Sequence, residues 1–149
     1  MKNANKTLVL IVVLALGAYT WLNDEGLLKQ EPSSPVQPSS THTLADAFNR
    51  RLSDVQVEGQ GVVSRILPDD REGSRHQRFV LRLTGSHTVL VAHNIDLAPR
   101  INALREGDTV AFYGEYEWNE KGGVVHWTHH DPDGRHVDGW LRHNGRTYQ

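Results

Sequence analysis

"VQVEGQGVVSRIL", Val55 to Leu67, is the stretch on which the fold turns. Val55 and Val57 alternate with polar residues, as in a strand with one buried face. The apolar parity then shifts across Gly59 and Gly61 to Val62 and Ile66. A long strand that changes face at glycines reads as sharply bent. Downstream, "RHQRFVLRL" (75–83) puts Phe79, Leu81 and Leu83 on one face and Arg78 and Arg82 on the other. "TGSH" turns the chain into a second arm, "TVLVAHN" (88–94). "IDLAPRINALREGD" (95–108) has an acid at its start, Pro99 in its first turn and Gly107 at its end, which predicts a short helix. "TVAFYGEYEW" (109–118) alternates as a strand, "NEKGG" turns, and "VVHW" returns. Asn144-Gly145 is a two-residue hairpin signal near the C-terminus.

Upstream, "THTLADAFNRRLSD" (41–54) offers Thr43 as an N-cap with Asp46 three residues on. Leu44, Ala47, Phe48 and Leu52 follow at helical spacing, giving a short amphipathic helix. The order is three strands, a helix and two strands. That predicts a mainly β fold: a small OB-like five-stranded barrel with a short helix between strands 3 and 4, an N-terminal helix and a C-terminal hairpin. A small antiparallel sheet packed on one helix is the alternative.

The chain begins with Lys2 and Lys6 before an apolar run, residues 8–22, broken only by Gly17 and Thr20. This is the layout of an export signal. Residues 1–22 are read as an uncleaved signal anchor, because Leu16-Gly17-Ala18 is a poor cleavage site and Tyr19 and Trp21 suit the membrane interface. A cleaved signal peptide, with secretion to the periplasm, is the alternative. Residues 23–41 carry "EPSSPVQPSST" and form a Pro/Ser-rich tether. The folded unit is residues 42–149, expected outside the cytoplasm on the periplasmic side.

No cysteine occurs, which removes disulfides, thiolate ligands and a lipoprotein anchor. From His42 onward thirteen basic residues, twelve of them arginine, face fifteen acidic ones. That balance does not favour nucleic acid as the partner. A glycine-rich phosphate loop, a nucleophile elbow and a dinucleotide fingerprint are all missing from the sequence.

The strings "VEGQGVVSRILPDD", "GSRHQRFVLRL", "VAHNIDLAPRI", "GDTVAFYGEYEWNEKGGVVHWTHHDP" and "GRHVDGWL" together resemble a bacterial family of unknown function, over about residues 55–149. The resemblance implies a small, exported or membrane-tethered protein with an OB-like fold, and supplies no chemistry.

Two surfaces carry candidate chemistry. If the 75–94 hairpin turns about Gly85-Ser86, Phe79 pairs with Ala92 and Arg78 with His93. His76, Arg78, Arg82 and His93 then share the outer face and suit an anionic ligand: a small molecule, an acidic glycan or a group on an envelope protein. A one-residue slip would send His93 to the core. The second surface lies in "HWTHHDPDGRH" (126–136), which holds four of the nine histidines. Strand pairing across "NEKGG" sets His126 opposite Glu115, a cross-strand His–Glu pair, and seats Trp127 over Gly114 in the core. "DPDG" fits a type I turn capped by Asp131. Doubling back there would oppose His129 to His136, a pair that with Asp131 could hold zinc, nickel or copper. The expected function is a tethered binding module. A metal-dependent hydrolase centred on His129 and His136 is the alternative.

Overall fold

The structure, a computed structural model, describes residues 42–149. The segment 1–22 and the 23–41 tether expected from the sequence lie outside the described residues. Among the described residues no helix is long and apolar enough to cross a membrane.

The elements, in order, are β1 (His42–Thr43), α1 (Leu44–Asn49), β2 (Val55–Ile66), β3 (His76–Arg82), β4 (Thr88–Asn94), β5 (Thr109–Glu117), β6 (Val124–His126), β7 (Trp140–His143) and β8 (Arg146–Tyr148). Strand order runs β1-β2-β3-β4-β6-β5-β7-β8, and β2 also pairs with β5. That second pairing closes β2, β3, β4, β6 and β5 into a five-stranded barrel. β4 and β6 are parallel while the other barrel pairs are antiparallel. The arrangement is OB-like.

The bent strand closes the barrel. Val55–Val62 pair with β5, and Val62–Ile66 pair with β3. The parity shift comes later than the sequence pattern indicated. Val57, Gly61 and Val63 are all buried, and the ladder slips between Val63 and Arg65. Gly59 and Gly61 are therefore inward positions without side chains. A Cβ on Gly59 would meet Phe112 Cζ at 2.8 Å, and one on Gly61 would meet Arg82 O at 2.9 Å. Room for Phe112 and for the β3 backbone is what these glycines supply.

Inside, Val57, Val63, Phe79, Leu81, Val91, Val110, Phe112, Tyr116, Val125 and Leu141 are almost wholly buried. Each such side chain contributes about 2 kcal/mol of transfer free energy. With no disulfide to assist, this interior and the ladders hold the domain together. Thr43 Oγ1 accepts from Asp46 N at 3.2 Å, which caps α1, and Leu44 and Ala47 bury against the barrel.

Residues 95–108 form a succession of turns instead of the expected helix. Pro99 lacks an N–H and disfavours helical backbone at Ala98. Gln77, buried in β3, then takes over the backbone of Ile101: its Nε2 donates to Ile101 O at 3.0 Å, and its Oε1 accepts from Ile101 N at 2.9 Å. The apolar residues Ala98, Ile101 and Leu104 are buried as the pattern required, on a non-helical backbone.

Candidate functional site

The fifth barrel strand is interrupted. β6 pairs His126 with Glu115, and β7 pairs Trp140 with Tyr113. Two steps along β5 thus correspond to fourteen along this strand, so thirteen residues stand between its halves where one would suffice. The histidine-rich stretch is this excursion, residues 127–139. Its base is drawn tight: Gly139 N donates to His129 O at 2.9 Å, and a Cβ on Gly139 would lie 1.9 Å from Trp127 O. Gly114 sits beneath, where a Cβ would meet His126 O at 2.5 Å and Thr128 Cγ2 at 2.9 Å. Thr128, buried, thus covers Gly114 in place of Trp127. Trp127 leaves the strand at φ 48° and stacks on His136, ring centroids 3.7 Å apart.

Asp131 organises the tip. Gly134 N donates to Asp131 O at 3.2 Å, closing the expected turn. The Asp131 carboxylate accepts from the backbone N–H of Asp133, Arg135 and His136 at 3.0, 2.6 and 2.7 Å. Those three donors hold its pKa below the ordinary carboxylate value. Both oxygens are thereby committed to the loop. His129 faces Gly139 across the backbone, where the simpler hairpin would have opposed it to His136. His129, His136 and Asp131 do not bring ligand atoms to one point among the described residues.

The β3–β4 hairpin differs by one residue from the expected register. Leu83 N donates to His87 O at 2.9 Å around Thr84-Gly85-Ser86, with Gly85 at φ 80°. Phe79 pairs with Val91, Arg78 with Ala92, Gln77 with His93 and His76 with Asn94. The three-residue loop replaces the two-residue turn, and the slip sends His93 inward. His93 is fully buried: Nδ1 lies 2.8 Å from Thr128 Oγ1, and Nε2 lies 3.2 Å from Pro99 O. Burial pushes its pKa down to about 4, against the partial offset of the Pro99 carbonyl.

Of the expected anionic patch, His76, Arg78 and Arg82 remain outward. Arg78 Nε and Nη2 both donate to Pro68 O, at 3.1 and 3.0 Å. Arg82 lies six residues along β3 from His76, about 20 Å away, at the strand's far end.

What the structure does bring together is His76 from the hairpin and the root of the excursion. Ser74, His76, Ala92, Asn94, His126, Trp127 and His129 line a cleft of about 160 Å³ on the outer face of β3, β4 and β6. His129 is buried and its Nδ1 donates to His130 O at 2.8 Å, which leaves Nε2 as the lone-pair nitrogen when neutral.

Next to the cleft, the His126–Glu115 opposition stands as the sequence indicated, and it is part of a larger cluster. His126 Nε2 lies 3.6 Å from Glu115 Oε1 and 3.9 Å from Glu117 Oε1, and His136 Nδ1 lies 3.7 Å from Glu115 Oε2. Glu115, Glu117 and His126 bring one ligand atom each within 4.8 Å of one another. Burial lowers the His126 pKa, the two carboxylates opposing it only in part. Glu117, Asn94 and Trp127 were not among the residues singled out from sequence as site members. The signal for Glu117 was available: "EYE" in β5 places two carboxylates on one face, opposite and diagonal to His126.

No curated protein matches the chain. The family model described as "Protein of unknown function (DUF3465)" matches residues 26–149, in keeping with the resemblance carried by the strings of residues 55–149. With that match covering the whole barrel and its excursion, the chain belongs to the DUF3465 family of proteins of unknown function.

Proposed function

We propose that this protein is an exported binding module, tethered to the membrane by residues 8–22, that takes a small anionic group in the cleft under the 127–139 excursion. The observation that carries this reading is the cleft itself. Side chains from two separate surfaces, His76 and Asn94 on the hairpin and His126, Trp127 and His129 at the excursion, converge on one outward-facing hollow. OB barrels take ligands on the outer face of these strands. The His76 imidazole, the Asn94 amide and the neighbouring Arg78 guanidinium supply donors for an oxyanion. The acidic balance of residues 42–149 argues against a polyanion such as a nucleic-acid strand and leaves a small anionic group as the better fit. A hydrolase centred on His129 and His136 has less support, since the Asp131 carboxylate is occupied by the loop's own backbone.

The test is a titration of the full-length, detergent-solubilised chain with inorganic phosphate and with a uronic acid, followed by amide chemical shifts. Shifts should concentrate at residues 74–78, 92–94 and 126–130. His76→Ala and Asn94→Ala should weaken binding, and Arg82→Ala, at the far end of β3, should not. Shifts scattered over the surface, or equal affinity in His76→Ala, would sink this reading.

A further inference from the structure

We propose that the outer face of β5 and β6 holds a divalent first-row transition-metal ion, bound by the His126 imidazole and the Glu115 and Glu117 carboxylates. This goes beyond the anion-binding reading and does not rest on it.

The geometry is that of ligands and not of hydrogen-bond partners. The 3.6 and 3.9 Å between His126 Nε2 and the two carboxylates exceed a hydrogen bond. They sit a little above the ~3.3 Å that separates two ligands of a tetrahedral zinc ion with bonds of about 2.0–2.1 Å. His126 Nε2 is itself buried and has no hydrogen-bond partner. So is Gln56 Oε1, whose residue pairs with Glu115 on the other side of β5. A buried nitrogen aimed between two carboxylates, donating to neither, carries an uncompensated desolvation cost. A cation is a species that accepts lone pairs from the imidazole and from both carboxylates at once.

A cross-strand ion pair is the plainer account of the same residues, but at 3.6 and 3.9 Å neither carboxylate takes a hydrogen bond from His126 Nε2, which stays unpartnered. Among the described residues, the basic side chains within 4.0 Å of the Glu115 and Glu117 carboxylates are imidazoles, with no arginine or lysine in that range. A divalent ion matches the two negative charges; the imidazole favours zinc, iron, nickel or copper over magnesium or calcium, and the two carboxylates also suit manganese.

The frame is rigid. Glu115 and Glu117 occupy successive outward positions of one strand, and His126 stands directly opposite Glu115 on its neighbour. The excursion then folds His136 over the second oxygen of Glu115, at 3.7 Å, while Trp127 stacks on the His136 ring. His136 is thus placed to orient the Glu115 carboxylate as an outer partner. The looped-out residues complete a site whose ligands belong to the barrel.

The test uses the full-length chain in detergent, carrying no histidine tag and stripped with chelator. Calorimetric titration with Zn²⁺, and separately with Mn²⁺, should show one saturable equivalent and a metal-dependent rise in the thermal midpoint. Glu115→Gln combined with Glu117→Gln should weaken binding more than tenfold and abolish that rise, without lowering the midpoint measured in chelator. His126→Gln carries the same test should the double variant not fold. His130→Ala, at an exposed histidine of the excursion, should bind as the wild type does, which separates this site from scattered surface histidines. No saturable equivalent of either ion, or unchanged binding in the Gln variants, would overturn the proposal.

Discussion

The indole of Trp127 and the imidazole of His136 stack with centroids 3.7 Å apart and planes 18° from parallel. One ring belongs to the root of the excursion and the other to its returning limb, so the contact folds the loop back onto the barrel. Trp127→Ala removes that contact and one wall of the cleft. Hydrogen exchange at residues 129–138 should quicken by at least tenfold, while exchange in β2, β3 and β5 stays as in the wild type. Unchanged exchange in the excursion would show that the Asp131 turn alone holds it.

Gln77 does the work of a ladder partner for Ile101. Gln77→Leu keeps an apolar volume in β3 but leaves the buried N–H and C=O of Ile101 unpaired. The loss should be about 3 kcal/mol, from two unsatisfied backbone groups at roughly 1–3 kcal/mol each. Urea unfolding followed by tryptophan fluorescence measures it. A loss below about 1 kcal/mol would mean that the 95–108 segment finds other partners.

His93 makes stability depend on pH. Its ring takes a proton near about 4 when folded, against 6.5 for the free side chain. Between those values the unfolded chain binds a proton that the folded chain does not, so this contribution is intact above pH 6.5 and is lost as pH falls toward 4. The difference amounts to about 3 kcal/mol. His93→Leu should be less stable at pH 7.5, through loss of the Thr128 and Pro99 bonds, and should show a flatter decline between pH 7 and pH 4.5. Parallel declines in the two proteins would place the pH sensitivity elsewhere.

Gly139 is the tightest point of the excursion. A Cβ there would lie 1.9 Å from Trp127 O and 2.6 Å from Tyr113 O, both backbone atoms that cannot swing aside. Gly139→Ala should therefore separate β7 from β5 and cost at least about 2 kcal/mol, the scale of an overpacked interior. Gly134→Ala, with nothing within 4 Å of the added methyl, pays only for its positive φ of 63° and should cost about 1 kcal/mol. Equal thermal midpoints for the two variants would contradict this reading of the strand junction.

Much of the barrel was legible along the chain. Val110, Phe112, Tyr116 and Val125 alternate by inward and outward position, and that period survives any tertiary context. The pairing of His126 with Glu115 followed from the short "NEKGG" turn, which fixes the register locally. Asn144-Gly145 gave the last hairpin for the same reason, with both residues at positive φ, 49° and 75°. The β3–β4 register was not legible, because a two-residue and a three-residue loop both fit "LTGSH". One residue of difference moved His93 from the surface to the core. The expected helix over 95–108 failed because its apolar spacing is equally satisfied by turns once Gln77 supplies partners from another strand.

By itself, the sequence determined a β domain with a bent first strand, its apolar interior, and the Asp131 turn, since each rests on neighbours within a few residues. Tertiary structure alone decided that β6 and β7 are two halves of one strand, because both halves pair with β5 and only that shared partner reveals the thirteen-residue excursion between them. It also decided the candidate site. Glu115, Glu117 and His126 meet through strand pairing, and His136 reaches them through a turn and a stacked ring. Histidine density drew attention to residues 126–136, and long-range pairing selected which of those histidines face Glu115.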